Sequence, residues 1–311
     1  MRVVITGAAG FIGSHLTRLV VGEGHSVWGV LLPGESPRRL AGIPRKLTLV
    51  PLDLRDGNAV EELISSVRPD CTIHLAWYAV PGKYWSATEN LDCVAISLSL
   101  VQKLASVGCS RLVAAGSCAE YDWAHGFLSE NATPLRPRTL YGACKNATRE
   151  VLEAYCREAS INLAWTRFFY LYGPGEPKER LVPSVVRALL GGEKARCTDG
   201  EQVRDFLHVE DLASAVWAVT QSDLSGPVNI GSGQPTKIRT IVETLGEIVN
   251  ARDRLLLGAI PASCSEPPVL VADVRRLTDA TGWRPSWSLR AGLQQVVDWW
   301  RQQMADQEES L

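Results

Sequence analysis

Tyr141 and Lys145 stand four residues apart in Tyr141-Gly142-Ala143-Cys144-Lys145, the spacing that puts both side chains on one face of a helix. A free phenol has a pKa of about 10, too high for acid–base work near neutrality. An ammonium one turn away favours the phenolate and makes the proton movable. Ser117, placed just beyond the strand expected at 111–115, offers a hydroxyl that could bind the oxygen Tyr141 protonates or deprotonates. A bland alternative fits each: a solvated Tyr–Lys pair, and a serine that caps a turn.

A glycine-rich segment near the start gives these residues a context. Gly7, Gly10 and Gly13 in Thr6–Gly13 lie between an apolar run and an amphipathic stretch. Such a loop lets the chain turn sharply, lets a pyrophosphate touch bare backbone and packs helix on sheet, while the helix start offers free N–H groups. The spacing is GxxGxxG. With it, Ser117, Tyr141 and Lys145 read as a site for hydride transfer at a carbinol or ketone carbon, Lys145 also reaching the nicotinamide ribose. After the second strand the acidic residue expected on an adenosine ribose is replaced by Leu31 or Leu32, and Ser36, Arg38 and Arg39 follow. That favours NADP(H), with Arg38 or Arg39 on a 2′-phosphate, although Glu35 could reach back to a ribose and NAD(H) stays possible. Asp53 is placed to meet the adenine amino group.

The elements that must position these residues alternate. Strands are expected at Val3–Ile5, 26–32, 47–52, 72–75, 111–115 and 162–167, with helices at 11–21, 56–67 (capped by Asp56), 89–107 and 141–159. This is a Rossmann-type α/β fold, a doubly wound parallel sheet with a smaller mixed α/β substrate-binding domain. The regular pattern breaks near residue 168, so residues 1–167 read as the NAD(P)-binding domain and 168–311 as the substrate-binding domain, with elements interleaved. Helices at 182–190, 209–220, 238–249 and 289–303 and a short strand at 228–230 follow.

With 46% hydrophobic and 21% charged residues and a formal charge of −2, the 311-residue chain is an ordinary globular enzyme without an electrostatic reason to bind nucleic acid. No run is long enough to span a membrane and no signal-peptide cleavage region is visible, which predicts a soluble cytoplasmic protein. Eight cysteines without a CxxC pair predict small buried hydrophobes and no metal site.

Beyond these residues, the chain resembles the extended short-chain dehydrogenase/reductases that modify nucleotide sugars. TGAAGFIG, LDLRD, HLAW, SCAEY, YGACK, RFFYLYGPGE, RDFLHVEDLA, NIGSG and ATGWRPSWSLRAGL match that family's segments in order over nearly the whole chain. The resemblance implies cofactor contacts from Gly7, Gly10, Phe11, Ile12, Gly13, Asp53, Leu54, Leu75, Ala76, Tyr141 and Lys145. It implies a sugar-nucleotide substrate and a homodimer formed by helices 89–107 and 141–159. Substrate contacts are expected from Trp77 and Lys83 in the aromatic loop after the fourth strand, from Cys118, from Tyr170 and from Arg204.

Departures refine the reading. The Asp-Glu pair that family dehydratases carry after the catalytic hydroxyl residue is here Cys118 and Ala119, which disfavours dehydration. Tyr170 replaces a usual asparagine, and Cys264-Ser265-Glu266-Pro267-Pro268 replaces a segment that carries a phosphate-binding arginine. The expected function is an NADPH-dependent reductase of a nucleoside-diphosphate 4-keto-(deoxy)sugar, Tyr141 donating the proton with Ser117 and Lys145. The alternatives are an NAD-retaining nucleotide-sugar epimerase, a non-catalytic NAD(P)-sensing protein, and an enzyme for a non-sugar ketone.

Overall fold

The computed structural model describes residues 1–43, 46–262 and 266–308. Cys264 and Ser265 of the departing segment lie outside them. Strands β1 (Arg2–Thr6), β2 (Ser26–Leu31), β3 (Leu47–Pro51), β4 (Cys71–His74) and β5 (Arg111–Ser117) come first. They are followed by the two-residue β6 (Phe127–Leu128), β7 (Asn162–Phe168), β8 (Tyr170–Tyr172), β9 (Ala195–Arg196), β10 (Val203–His208) and β11 (Gly226–Ile230). Short β12 (Pro235–Lys237), β13 (Leu255–Leu256) and β14 (Val269–Ala272) complete the strands described. The helices are α1 (Phe11–Gly22), α2 (Gly57–Val67), α3 (Glu89–Ser106), α4 (Leu140–Glu158), α5 (Leu181–Leu190), α6 (Val209–Gln221), α7 (Ile238–Val249), α8 (Arg275–Thr281) and α9 (Leu289–Glu308).

Seven strands form one parallel sheet in the order β11-β7-β5-β4-β1-β2-β3. The order reverses between β1 and β4, and the crevice at the carboxyl ends of strands flanking such a reversal is where open α/β sheets bind ligands. Val3, Val4 and Ile5 are wholly buried, as a central strand covered on both faces requires. One face packs on α1 and α6 through Leu16, Val20, Ala215 and Val216, the other on α2 to α4 through Ile64, Leu104 and Leu152. Asp56 caps α2, its carboxylate accepting from Asn58 and Ala59 main-chain N–H groups.

Past residue 168 the chain returns to the large sheet only once, as β11 beside β7. The smaller mixed sheet joins β12, β10, β14 and β6, with β8 alongside β10. It takes β6 from between β5 and α4, so the two layers exchange segments. No helix among the described residues is long and apolar enough to cross a membrane.

Candidate active site

The glycine loop is built to bring backbone close. Gly7 has φ +69°, and a Cβ there would stand 3.1 Å from the Ala76 nitrogen at the end of β4. A Cβ on Gly13 would fall 2.0 Å from the Gly7 carbonyl oxygen, so α1 can lie on the turn only with glycine at that position. Gly10 precedes α1 with no side chain capping the helix, leaving the first-turn amides and the positive dipole end to an anion. Phe11 and Ile12 open the helix, partly buried. A dinucleotide's pyrophosphate fits this cradle. The Thr6 hydroxyl ties the neighbouring strand ends, accepting from Leu75 and Ala76 N–H groups at 3.2 Å each and meeting His74 Nδ1 at 2.8 Å. Burial drives the His74 pKa down to about 3, so the ring is neutral.

At the far end of β2, Glu35 folds back and accepts from the Leu32 N–H at 3.1 Å. Arg39 turns elsewhere: its guanidinium donates to Gly175 O at 3.0 Å and toward Ala9 O at 3.5 Å, while His15 Nε2 meets Pro174 O at 2.9 Å. These two side chains strap the Pro174–Gly175 turn onto the glycine loop. Of the two arginines expected on a 2′-phosphate, both exposed, Arg39 makes these main-chain contacts. Asp53 lies beyond β3 with partly buried Leu54 beside it, and its carboxylate is gripped by Arg55 through contacts of 2.6–3.0 Å. That pairing holds the Asp53 carboxyl below its ordinary range.

Tyr141, Lys145 and Ser117 come together. Ser117 ends β5 and caps a short turn at Cys118–Glu120, its Oγ accepting from Ala119 N–H at 3.2 Å, so the turn-capping role is realised as well. Thr139 caps α4 by accepting from Gly142 N–H. A Cβ on Gly142 would come within 2.3 Å of Ala119 O, and this approach is what seats Tyr141 at the end of β5. The Ser117 hydroxyl is close enough to the Tyr141 phenol to favour its ionised form.

The electrostatics differ from the sequence expectation. Burial pushes the Tyr141 phenol above its ordinary value, opposed chiefly by the Ser117 hydroxyl, and Lys145 is not among the groups that lower it. The Lys145 Nζ instead donates to Ala115 O at 2.6 Å and sits 3.6 Å above the Trp77 ring, 5.9 Å from the Tyr141 ring centre. Burial lowers its pKa to about 7. The expected correction of the phenol by its lysine is therefore outweighed by desolvation of both groups.

Trp77 was expected in the substrate wall; it is the shelf for Lys145. Its indole N–H donates to Asn90 Oδ1 at 2.8 Å, and Asn90, wholly buried, donates to Tyr84 O and Ala87 O. Lys83 is exposed, whereas Tyr84 and Trp85 turn inward and place their rings 4.9 and 5.8 Å from Tyr141, edge to face. Trp123 packs on Trp85. Cys118 faces this wall with its thiol pushed up to about 12 by burial. Tyr170, on β8, stacks under the Arg204 guanidinium at 5.4 Å, and Arg204 reaches Glu266 at 3.4 Å. Beyond that pair a cavity of about 440 Å³ is lined by Trp123, Phe127, Arg138 and Pro268.

Sequence reasoning passed over Glu120, Asn90, Glu176 and Arg180, while Tyr84 belongs to the aromatic loop expected to wall the pocket. Arg180 lies 5.4 Å over the Tyr84 ring. Glu176 is buried in the strapped turn, Oε2 without a hydrogen-bond partner, and burial raises its pKa to about 8. A glutamate after Gly-Pro-Gly carries no sign of burial in the sequence. Among the described residues no cluster of three or more His, Cys, Asp or Glu could hold a metal ion.

A Rossmann-type sheet with a glycine cradle and a Ser–Tyr–Lys group at its switch point defines a dinucleotide-dependent oxidoreductase of the short-chain kind. The chain belongs to the NAD dependent epimerase/dehydratase family, whose model matches residues 3–231. It is 29% identical over 250 residues to the dTDP-6-deoxy-L-talose 4-dehydrogenase (NAD(+)) of Aggregatibacter actinomycetemcomitans, covering 78% of this chain and 88% of that one. It is 25% identical over 310 residues to the UDP-glucose 4-epimerase of Corynebacterium glutamicum, covering 92% and 91%. Among solved structures, MoeE5 in complex with UDP-glucose and NAD superposes with a TM-score of 0.83 at 30% identity, over 98% of this chain and all of that one.

Proposed function

We propose that this chain is an NAD-dependent epimerase of a nucleotide sugar, oxidising one carbinol carbon and reducing it again from the other face of the sugar. The observation that carries the reading is the placement of Ser117 at the end of β5 beside Tyr141, with Lys145 one turn on, an aromatic wall alongside, and Cys118 and Ala119 where a dehydratase has acid and base. Water elimination has no base there, since Ala119 carries no ionisable group and burial keeps the Cys118 thiol protonated.

In this reading residues 1–167 carry the cofactor and 168–311 supply most of the substrate contacts. The glycine loop and the first turn of α1 hold the pyrophosphate, Asp53 the adenine amino group, Glu35 the adenosine ribose, and Lys145 the nicotinamide ribose. NAD bound there supplies the hydride acceptor. Tyr141, whose buried phenol would need the positive charge of bound NAD to give up its own proton, takes the proton of the reacting hydroxyl and returns it, Ser117 holds the oxygen, and Arg204 with Tyr170 anchors phosphate. The NADPH-dependent 4-keto-sugar reductase, expected first from the sequence, loses support on two counts: the family is NAD-dependent, and Arg39 is committed to Gly175. A net oxidation or reduction at the same carbon with NAD is the second reading, favoured by the likeness to the deoxytalose dehydrogenase.

Denaturing the purified protein and identifying the released nucleotides by mass is the first test, and NAD(H) is the expected release. Incubation with UDP-glucose and related sugar nucleotides should then yield an epimer without net change in NADH. Protein that emerges empty and consumes NADPH stoichiometrically with a keto sugar would refute the epimerase. Tyr141→Phe should lower turnover by about 10²–10⁴-fold; unchanged turnover removes the phenol from the mechanism.

A further inference from the structure

The turn after β8 is fastened to the glycine loop by side chains that the proposed chemistry does not use. Gly173, Pro174, Gly175 and Glu176 lead from β8 toward α5, and the turn closes on itself where the Glu176 N–H donates to Gly173 O at 3.3 Å. Gly175 has φ +83°, and a Cβ there would stand 3.3 Å from Arg39 Nε, so glycine lets the guanidinium lie against the turn. Arg39 Nη2 donates to Gly175 O at 3.0 Å, and its Nη1 points toward Ala9 O at 3.5 Å. His15 Nε2 meets Pro174 O at 2.9 Å; a carbonyl only accepts, so that nitrogen carries the proton. Ala9 precedes α1 and His15 begins its second turn, so the two anchors bracket the first turn of the helix. Arg18 holds the Arg39 main chain ready, donating to the carbonyls of Arg39 and Ala41 at 2.6 and 2.9 Å. Glu176 works against closure: it is buried, and its Oε2 has no hydrogen-bond partner. Burying such an oxygen is unfavourable, so the closed turn depends on its fastenings.

We infer that Arg39 and His15 are positioning residues for the dinucleotide: they latch the turn at 173–176 alongside the first turn of α1 and so set how slowly a bound cofactor leaves. The free amides that receive the pyrophosphate belong to that first turn of helix, so a dinucleotide seated on them departs past a segment the latch holds in place. Neither side chain has to touch the cofactor. Arg39 is exposed and bonds only main-chain oxygens, so its contacts can break and re-form without disturbing the core. The unpartnered oxygen of Glu176 favours the open turn, and the Arg39 and His15 bonds favour the closed one. A balance of that kind lets the cofactor load and then retains it. Retention suits a reaction in which the hydride taken from a carbon must be returned to it by the same dinucleotide.

The inference rests on the glycine loop being the dinucleotide cradle, and the test separates the two. Purified protein is loaded with NADH or with NADPH and mixed with a large excess of the oxidised dinucleotide. The decay of bound-cofactor fluorescence gives the dissociation rate, and each variant's melting curve is recorded beside it. Arg39→Met keeps much of the side chain's length and removes the donors. NADH should leave it about tenfold faster, the equivalent of one hydrogen bond to a charged group, with association little changed. Its melting curve should stay close to wild type, because the side chain is exposed. Arg39→Lys, which can reach one carbonyl, should recover part of the loss. His15→Phe keeps a ring beside Phe11 and loses the bond to Pro174, so it should also release NADH faster; it carries the same test if Arg39→Met unfolds. Wild-type NADH dissociation in a folded Arg39→Met variant would overturn the latch. So would a variant in which only NADPH leaves faster, the result expected of a 2′-phosphate ligand. Wild-type protein that binds neither dinucleotide would remove the cradle, and the latch with it.

Discussion

Three glycines of one loop should fail in three different ways when each is changed to alanine. At Gly13 the added methyl would meet Gly7 O at 2.0 Å and Ala8 Cα at 2.9 Å, all backbone, so loop and helix must separate by more than an ångström. Overpacking of that kind costs about 3 kcal/mol, roughly 5–10 °C in melting temperature for a chain of this size. At Gly7 the left-handed φ of +69° adds a strain of about 1–2 kcal/mol to a tight 3.1 Å approach to Ala76. At Gly10 the nearest atom is Gly7 O at 3.2 Å, which a few tenths of an ångström relieves, so folding should be almost unaffected. A methyl there nevertheless stands at the uncapped end of α1. If a pyrophosphate lies against that backbone, losing a helix-end contact of up to about 2 kcal/mol weakens NADH by roughly 30-fold. The assay pairs a melting curve with an NADH titration for each variant. Gly10→Ala that melts like wild type and binds NADH like wild type would refute the assignment of the loop as the pyrophosphate cradle.

Two further outcomes follow from buried and exposed groups elsewhere. The Glu176 carboxyl is raised by burial to about 8 from an ordinary 4.5, so its protonated form favours the fold below the lower value and this contribution is lost as pH climbs through the upper one. Glu176→Gln should therefore raise the melting temperature by a few degrees at pH 8.5 and not at pH 4.5; an equal effect at both would show that ionisation is irrelevant. Leu91 on α3 and Val151 on α4 are large apolar side chains about half exposed, on the two helices expected to pair subunits. Val151→Glu should convert a dimer to a monomer in sedimentation analysis, and a wild-type protein that sediments as a monomer rejects the pairing.

What the sequence could tell depended on the range of the physics. The turn at Gly7, the cap at Asp56 and the one-turn spacing of Tyr141 and Lys145 are local, and the structure forms them where the residues indicate. Helix ends moved by a residue or a few, most at the end of α9. The strands of the smaller sheet were harder: β6, β8, β12 and β14 have two to four residues each, too few to display a period, and they exist because distant partners complete them. The same holds for site contacts. Arg39 reads as a solvated cation or a phosphate ligand until Gly175, 136 positions later, takes its proton donors. Trp77 reads as a pocket wall because nothing nearby announces that Lys145 will lie on its face. Glu120 occupies an apolar neighbourhood in sequence, and only Trp165 and Arg167, 45 and 47 positions on, explain how a carboxylate survives there.

The reading of Tyr141 is limited in the same way. Spacing alone places an ammonium near a phenol and predicts a more acidic phenol; it cannot show that the rings of Tyr84, Trp85 and Trp77 pack around the Tyr141 ring while Lys145 lies over Trp77. Burial disfavours the phenolate and the ammonium alike. A Trp85→Ala variant that admits water would relax both shifts together, moving the Lys145 titration up and that of Tyr141 down, because one cause, desolvation, drives them in opposite directions.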